Sequence, residues 1–187
     1  MGIDKKISME LFKVVTRAVA QSDELDLMAN HLSQLIVGGL GIKGCNLFAL
    51  NVETDELELL GGFGLSIDYV NKGPLLSARS ISKTIKGENV VVSDTLNSDM
   101  LQYPEEAKAE GVRAIVSLPV KLYDRVIGAL RLYHHETWEV SENDLDSLLS
   151  LCEIIGLAMM YSRLLNALKQ VKETVNTIHP IWLDPQG

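Results

Sequence analysis

The chain is short of cysteine, of positive charge and of long apolar runs, and each shortage excludes a class of protein. Its two cysteines, Cys45 and Cys152, are far apart and form no Cys-x-x-Cys pair, which favours free, buried thiols over a disulfide framework. Lysine and arginine together number 17, against 25 aspartates and glutamates, and the formal net charge is −8. This acidic balance offers no basic patch for nucleic acid or for an anionic membrane surface.

Targeting and catalytic signatures are also missing. The polar start, Met1 to Lys6, is not followed by the unbroken apolar run of a secretory signal. The longest nearly apolar run near the C-terminus, Ile154 to Tyr161, is too short to span a bilayer, so we expect a cytoplasmic protein. There is no nucleophile elbow, no His-Glu-x-x-His and no phosphate-cradling loop, so no enzyme activity is expected. Solvation explains the acidic residues Asp94, Asp99 and Glu105 better than a metal does, and no metal site is expected.

The remaining composition is that of one ordinary globular domain with an additional element. Apolar residues make up 47% of the chain and charged residues 22%, and a chain of 187 residues is long enough for one full core. No internal repeat or low-complexity segment divides it.

Two helices are predicted before the first strand. The first covers about residues 7–21, where the apolar positions at helical spacing are Ile7, Leu11, Val14 and Ala18. The second begins at a cap supplied by Ser22 or Asp23 and ends at the glycines at 38, 39 and 41. Its predicted apolar stripe consists of Leu25, Met28, His31 or Leu32, Leu35 and Ile36.

The middle of the chain alternates predicted strands with short helices. Strands are predicted at about residues 45–52, 57–60, 90–92, 113–120 and 125–133, and short helices at 66–71, 80–86 and 104–110. A short polar turn at Tyr123-Asp124-Arg125 joins the last two strands. We interpret Gly61, Gly62 and Gly64 as a loosened backbone after the second strand.

The last predicted helix is longer than one small domain can cover. Ser141 can cap it, and no helix breaker follows until Pro180, so we expect the helix to end near Ile178 and His179-Pro180 to be a loose tail. One stripe, expected to pack on the sheet, consists of Leu145, Leu148, Leu149, Cys152, Ile155 and Met159. A second stripe, at alternating three- and four-residue steps, consists of Ile154, Leu157, Tyr161, Leu164, Leu168, Val171, Val175 and Ile178.

This second stripe has the spacing of a coiled-coil seam. It needs a partner helix, which is the N-terminal helix, a second copy of the chain, or both, and a parallel homodimer is the expectation. The alternative is that the distal helix packs back on its own domain. The expected division is an N-terminal helix at 1–22, a domain at 23–160, a coiled-coil-like extension at 161–178 and a tail at 179–187.

The order of these segments resembles the GAF family, the small-molecule sensor domains of signalling proteins. The resemblance covers roughly residues 25–160 and rests on an ordered set, not on one motif: Gly61-Gly62-Phe63-Gly64-Leu65, Ser80 to Asp94, Gly111 to Pro119, Gly128-Ala129-Leu130 and Trp138 to Leu145. It implies an α+β, PAS-related fold with a central antiparallel sheet of five to six strands. Terminal helices would cover one face, and loops and short helices would close a ligand cavity over the other.

Residues that define the characterised GAF subclasses are missing. The Asn-Lys-Phe-Asp-Glu signature of cyclic-nucleotide-binding members has no counterpart here. Cys45 and Cys152 are misplaced for attaching a bilin or for reducing free methionine sulfoxide. His134 and His135 are adjacent at a strand end, so we expect them to point in opposite directions, unlike a haem-binding site. The sequence therefore leaves the cofactor unknown.

Strand alternation predicts which side chains face a ligand. The wholly apolar sets of the last two strands are expected under the terminal helices, which leaves Ser117, Arg131 and Tyr133 on the opposite face. The resemblance adds Ser80 and Asp94, in segments that border the cavity in this family. Such residues suit a small anionic ligand. The alternative is a solvated strand face with Arg131 paired to a carboxylate.

Two functions remain open on these grounds. The first is a homodimeric sensory or regulatory domain that binds an unidentified small ligand and controls a signalling output protein in trans or within a larger protein. The second is a ligand-free dimerisation or interaction scaffold. The positions of the cysteines disfavour a third, an enzyme with thiol chemistry.

Overall fold

A computed structural model describes residues 7, 9–20, 24–51, 53–54, 56–73 and 80–182, with residues 20, 80, 81 and 176–182 described by their backbone only. The strands are β1 (Gly44–Asn51), β2 (Glu56–Phe63), β3 (Val90–Val92), β4 (Ala114–Leu122) and β5 (Arg125–His134). The helices are α1 (Met9–Ala20), α2 (Leu25–Leu40), α3 (Ile67–Val70), α4 (Ser80–Ile85), α5 (Pro104–Glu110) and α6 (Glu142–Trp182), and a 3-10 turn covers Thr95–Asn97.

The strands form one antiparallel sheet in the order β2-β1-β5-β4-β3. Tyr123 and Asp124, both with positive φ, make the tight turn between β4 and β5. The α+β class, the antiparallel sheet and the placement of the terminal helices on one face are as the sequence predicts. The sheet has five strands within the described residues.

The face of the sheet that carries the terminal helices is wholly apolar. Strand residues on this face alternate with those on the other, as the pleat of a strand requires. The strand side chains buried there are Cys45, Leu47, Ala114, Val116, Leu118, Val120, Leu130 and Leu132, packed against residues from α1, α2 and α6. A second, smaller core covers the opposite face and consists of Tyr69, Val90, Val92, Leu101, Ala107, Val112, Ile115 and Tyr133.

Details of the first two helices differ from the sequence prediction. Val15 is fully buried, whereas the predicted core residue Val14 is half-buried; Leu11 and Ala18 are buried as predicted, so only the middle position of the stripe differs. Glu24 takes the N-cap position of α2 and makes no side-chain cap hydrogen bond. The predicted caps, Ser22 and Asp23, lie outside the described residues. His31 is exposed, and Leu32 takes the buried position.

Gly61 and Gly62 lie inside strand β2 and not in a turn after it, which corrects the sequence prediction. A Cβ atom on Gly61 would lie 2.7 Å from the backbone nitrogen of Asn30 on α2. A Cβ atom on Gly62 would meet Oδ1 of Asn46 on β1. These glycines therefore serve close packing on both faces of β2.

Helix α6 carries both predicted stripes. In the first, Leu148, Cys152, Ile155 and Met159 are buried, and Leu145 and Leu149 pack against the same core. In the second, six side chains are more than half exposed: Leu157, Tyr161, Leu164, Leu168, Val171 and Val175. The helix continues through Pro180 to Trp182, so the predicted tail at 179 was wrong. Proline fixes φ at about −65°, which is a helical value, so the backbone can continue past Pro180 at the cost of the one hydrogen bond that its nitrogen cannot donate.

Helix α6 is also long and apolar enough to cross a membrane by length and composition, with a mean hydropathy of 1.6 over its most apolar window. The sequence prediction missed this because it considered only the unbroken apolar run at 154–161. The mean hydropathy over a longer stretch of the helix is high even though polar residues interrupt it. The same test is passed by the core helix of a globular domain, and the first stripe of α6 packs on the sheet in that way.

Candidate functional site

A row of polar side chains crosses the middle of the sheet on the face away from the terminal helices. Asn46 on β1 lies opposite Arg131 on β5, and Arg131 lies opposite Ser117 on β4. Directly opposed residues of antiparallel strands share a face, so the three side chains are neighbours. All three are buried, with 4%, 5% and 0% of their surfaces exposed in that order. The structure thus brings together two of the predicted site residues, Ser117 and Arg131.

Arg131 is a buried cation without an ion-pair partner in the described part of the chain. No carboxylate of the described residues lies within salt-bridge distance of it, and its Nε has no hydrogen-bond partner. Cζ of Arg131 lies 5.6 Å from the centroid of the Tyr133 ring. The alternative of a solvated Arg131 paired to a carboxylate is wrong, because this face lies under α3, α4 and α5 and not in solvent.

Ser117 is bound to helix α4. The Thr84 hydroxyl donates a hydrogen bond of 3.0 Å to Oγ of Ser117, and both residues are fully buried. Ser80 begins the same helix, but its side chain lies outside the described residues, so its role stays a prediction. The hydrogen bond fixes α4 over the polar row.

Tyr133 belongs to an aromatic and cationic cluster beside the row. Its ring packs edge-on against Tyr69 at 5.9 Å between centroids. Nζ of Lys72 lies 3.6 Å from the centroid of the Tyr69 ring and donates to the Tyr69 carbonyl at 2.7 Å. Burial raises the pKa values of both tyrosines, so both hydroxyls stay protonated near neutral pH.

The pKa of Lys72 is lowered, and the charge of Arg131 contributes to this shift. Burial, followed by the positive charge of Arg131, lowers the pKa of the Lys72 ammonium to about 8. Glu106 and Glu110 oppose this shift but do not cancel it. Glu110 is itself engaged, since it accepts from Ser66 and lies 3.2 Å from Nζ of Lys43. Sequence reasoning missed Lys72, because it lies in a loop whose neighbours are set only by the fold.

Asn46 was also missed, although its place on β1 offered a signal. It is a polar residue inside the strand run Cys45-Asn46-Leu47-Phe48, where alternation puts it on the same side as the predicted ligand face. Its Oδ1 has no hydrogen-bond partner. Asn46 also lines a cleft of about 380 Å³ between β2 and α3, together with Gly62, Leu65, Ile67, Val70 and Asn71 among others. The cleft gives a small ligand room beside the polar row.

The carboxylate of Asp94 stabilises a loop. It accepts hydrogen bonds from Leu96 N at 3.2 Å, from Asn97 at 2.7 Å and from Arg113 at 3.0 Å. Desolvation opposes ionisation of Asp94, but these hydrogen bonds outweigh it and hold the pKa of the carboxyl below its usual range. Capping the 3-10 turn explains this residue, and its predicted contact with a ligand stays a prediction.

His134 and His135 do not point in opposite directions, which corrects the prediction. Their rings stack at 4.7 Å with an interplanar angle of 23°. The reason is that β5 ends at His134, so strand alternation no longer applies to His135. Potential metal-ligand atoms of His134, His135 and Glu136 lie within 4.8 Å of one another, but Nδ1 of His134 already accepts from the Glu136 N–H at 2.9 Å.

Both cysteines are free and buried, as predicted. Burial raises the pKa of Cys45 to about 12 and also raises that of Cys152. Both belong to the core on the helix side of the sheet, away from Arg131. Such thiols are poor nucleophiles, because the reactive species is the thiolate.

Comparison with known proteins agrees with this geometry. A family model of the GAF domain matches residues 25–160. The chain belongs to the GAF family. GAF is a sensory and regulatory fold of signalling proteins that binds small molecules such as bilins in some members. No curated protein matches the chain.

Several solved structures share the fold. The GAF domain of a phosphoenolpyruvate-protein phosphotransferase from Coxiella burnetii has a TM-score of 0.71 at 16% identity, over 85% of this chain and 98% of that one. Free methionine-R-sulfoxide reductase from Neisseria meningitidis, solved with its substrate, has a TM-score of 0.67 at 18% identity, over 83% and 93%. The phycoerythrobilin-bound GAF domain of a cyanobacterial phytochrome has a TM-score of 0.63 at 17% identity, over 86% and 100%. At such identities the likeness establishes the fold alone.

Proposed function

We propose that this GAF domain is a cytoplasmic sensory or regulatory module without enzyme activity. It binds a small anionic ligand between the sheet and the segments from Leu65 to Tyr103, and it signals as a homodimer through its terminal helices. Ligand binding would bias the arrangement of α6 in the dimer and so reach an output protein, in trans or within a longer chain.

The observation that carries the ligand proposal is the buried Arg131, which forms no ion pair with the residues that the structure describes. Burying a cation without a counter-charge costs free energy that the fold must supply from elsewhere. A bound anion would satisfy the guanidinium, whose planar set of N–H donors suits carboxylate or phosphate oxygens. An arginine that only stabilised the fold would be expected to have a carboxylate beside it.

The dimer proposal rests on α6. Its 41 residues span about 60 Å at a rise of 1.5 Å per residue, which is more than the sheet beneath it can cover. The exposed stripe from Leu157 to Val175 continues into a groove of about 400 Å³ between the terminal helices, lined by Val19, Met28, Ile154, Ala158 and Ser162 among others. An apolar face at heptad spacing is what a second copy of α6 would cover.

A charge reversal tests the ligand site. We expect Arg131→Glu to lose binding of the anion that stabilises the wild-type protein, and to remain a dimer, because Arg131 lies on the face away from α6. Thermal unfolding against a panel of small anions and sedimentation velocity measure the two properties. If the same anion stabilised the variant as much as the wild type, Arg131 would not be part of the binding site.

A second candidate is a ligand-free scaffold with a filled pocket. It is favoured by the complete burial of Ser117 and Tyr133, which shows that side chains already occupy much of this face. In that case Arg131 would be a structural residue, and no anion or neutral metabolite would shift the unfolding temperature. The two candidates share the dimer and differ only in the ligand.

A further inference from the structure

Two cations lie at the two ends of one aromatic pair. Arg131 is beside Tyr133, Tyr133 packs against Tyr69, and Lys72 is over Tyr69. They come from different elements, since Arg131 lies on the sheet and Lys72 follows α3. The cluster is therefore assembled by the tertiary fold.

Neither cation has an ion-pair partner among the described residues. The nearest acidic influences on Lys72 are Glu106, which is exposed, and Glu110, which is committed to Ser66 and Lys43. The two cations also repel each other, as the effect of Arg131 on the Lys72 pKa shows. Two like charges in contact with the same partly buried aromatic pair repel each other, and an anion that reaches both would offset the repulsion.

We propose that Arg131 and Lys72 together hold a doubly charged small anion, either a dicarboxylate or a phosphate monoester. This inference rests on the proposed function and names the class of its ligand. Arg131 supplies planar N–H donors from the sheet. Lys72 supplies a compact ammonium from the loop after α3, where one of its protons is held by the Tyr69 carbonyl. The two charges on the ligand would balance the two cations.

Binding would then be linked to a proton. An anion beside Lys72 favours the charged ammonium and raises its pKa from about 8. At pH 8 the protein would therefore take up a fraction of a proton when the ligand binds. Calorimetry in two buffers of different ionisation enthalpy measures this uptake, and a merely structural Lys72 would show none.

Matched probes test the charge of the ligand. We would titrate the full chain with succinate against its monomethyl ester, and with phenyl phosphate against its monomethyl ester. The expectation is that at least one doubly charged probe binds more tightly than its ester. Binding of succinate would indicate a dicarboxylate ligand, and binding of phenyl phosphate would indicate a phosphate monoester. If no probe binds, or if each ester binds as tightly as its parent, the inference is overturned.

Four variants locate the contacts. Lys72→Met and Arg131→Met should each weaken the binding of that probe by about tenfold or more, as expected for the loss of a hydrogen bond to a charged group. Lys72→Arg should restore most of the affinity because it keeps the charge. Arg125→Gln, which removes an exposed cation at the β4–β5 turn, is the matched control and should bind as the wild type does.

The outcomes separate this inference from the proposed function. If Arg131→Met weakens binding and Lys72→Met does not, the single-cation site stands and the two-cation site is wrong. If neither variant changes the affinity, both are wrong. Circular dichroism of each variant shows whether a loss of binding follows from a loss of fold.

Discussion

At the scale of single residues, the main feature is a row of polar side chains buried on the sheet face opposite the terminal helices, where apolar side chains would be more stable. Asn46, Arg131 and Ser117 cross the centre of the sheet, and among the described residues neither Oδ1 of Asn46 nor Nε of Arg131 has a hydrogen-bond partner. Proteins commonly lose stability at functional sites, because groups arranged for a ligand are not satisfied without it. The ligand-free protein should therefore gain stability when such a group is removed.

We predict that Arg131→Met stabilises the ligand-free protein. Methionine fills a similar volume without a charge, and replacing buried ionic groups by apolar side chains of like size is neutral or stabilising by about 1–4 kcal/mol. Urea unfolding of protein freed of ligand measures the change, with Arg125→Gln as the exposed control. A loss of stability of more than about 1 kcal/mol would mean that Arg131 has a structural partner.

Lys72 makes the stability depend on pH. Its pKa is about 8 in the folded protein and 10.5 ordinarily, so above pH 8 the unfolded chain holds a proton that the folded chain has lost. The free energy of unfolding from this group therefore rises with pH from about 8. The buried thiols of Cys45 and Cys152 act oppositely from their ordinary pKa of 9.0, and the tyrosines do so from about 10, so the effect of Lys72 is measured as a difference between two proteins. Between pH 8 and about 9.5 we expect the free energy of unfolding of the ligand-free wild type to rise relative to that of Lys72→Met, and parallel pH profiles of the two would contradict it.

At the scale of elements, the fold depends on close approaches between helices and the sheet. Strand β2 carries Gly61 where α2 crosses it, so that helix backbone lies against strand backbone. In contrast, Gly38 lies on an exposed part of α2, and a Cβ atom there would have nothing within 4 Å. The same substitution should therefore have opposite effects at these two sites.

We predict that Gly61→Ala destabilises the protein by about 1–3 kcal/mol, as overpacking does when the neighbour is backbone. Gly38→Ala should instead stabilise it by about 0.5–1 kcal/mol, because alanine loses less backbone entropy in a helix. Chemical denaturation of both variants measures the pair. Equal effects would show that α2 does not lie against β2 at Gly61.

Most elements were predictable because their signals are local. The alternation in β4 and β5 placed Ser117 and Arg131 correctly on one face, and Pro104 and Gly111 marked the ends of α5. The errors occurred where tertiary contact decides. From sequence, Gly61 and Gly62 suggest a turn, because their close contacts with α2 and Asn46 appear only in the folded protein. His135 was expected to alternate with His134, but the strand ends at His134 and the alternation ends with it. Lys72 reaches the site through the packing of α3, which no local pattern encodes.

At the scale of the whole molecule, one monomer leaves its longest helix half covered. The first stripe of α6 completes the core, and the second is exposed for most of its length. A parallel pair of chains, as proposed, would bury this apolar surface at heptad spacing.

We predict that Leu164→Gln together with Leu168→Gln converts the proposed dimer to a monomer with an intact domain. Both side chains are more than half exposed, so the substitutions remove interface contacts and leave the sheet untouched. Leu27→Gln on α2, 62% exposed and outside the stripe, is the control. Sedimentation velocity should show a monomer for the double variant and a dimer for the control. A dimer in both would place the interface elsewhere.

The most direct test of the account is a native mass spectrum of the freshly purified protein beside its Arg131→Met variant. The account predicts a wild-type dimer that carries extra mass, and a variant dimer that has lost it. The size of that mass would identify the ligand class. A dimer without extra mass would favour the scaffold. A monomer, or an extra mass that Arg131→Met leaves unchanged, would contradict the account.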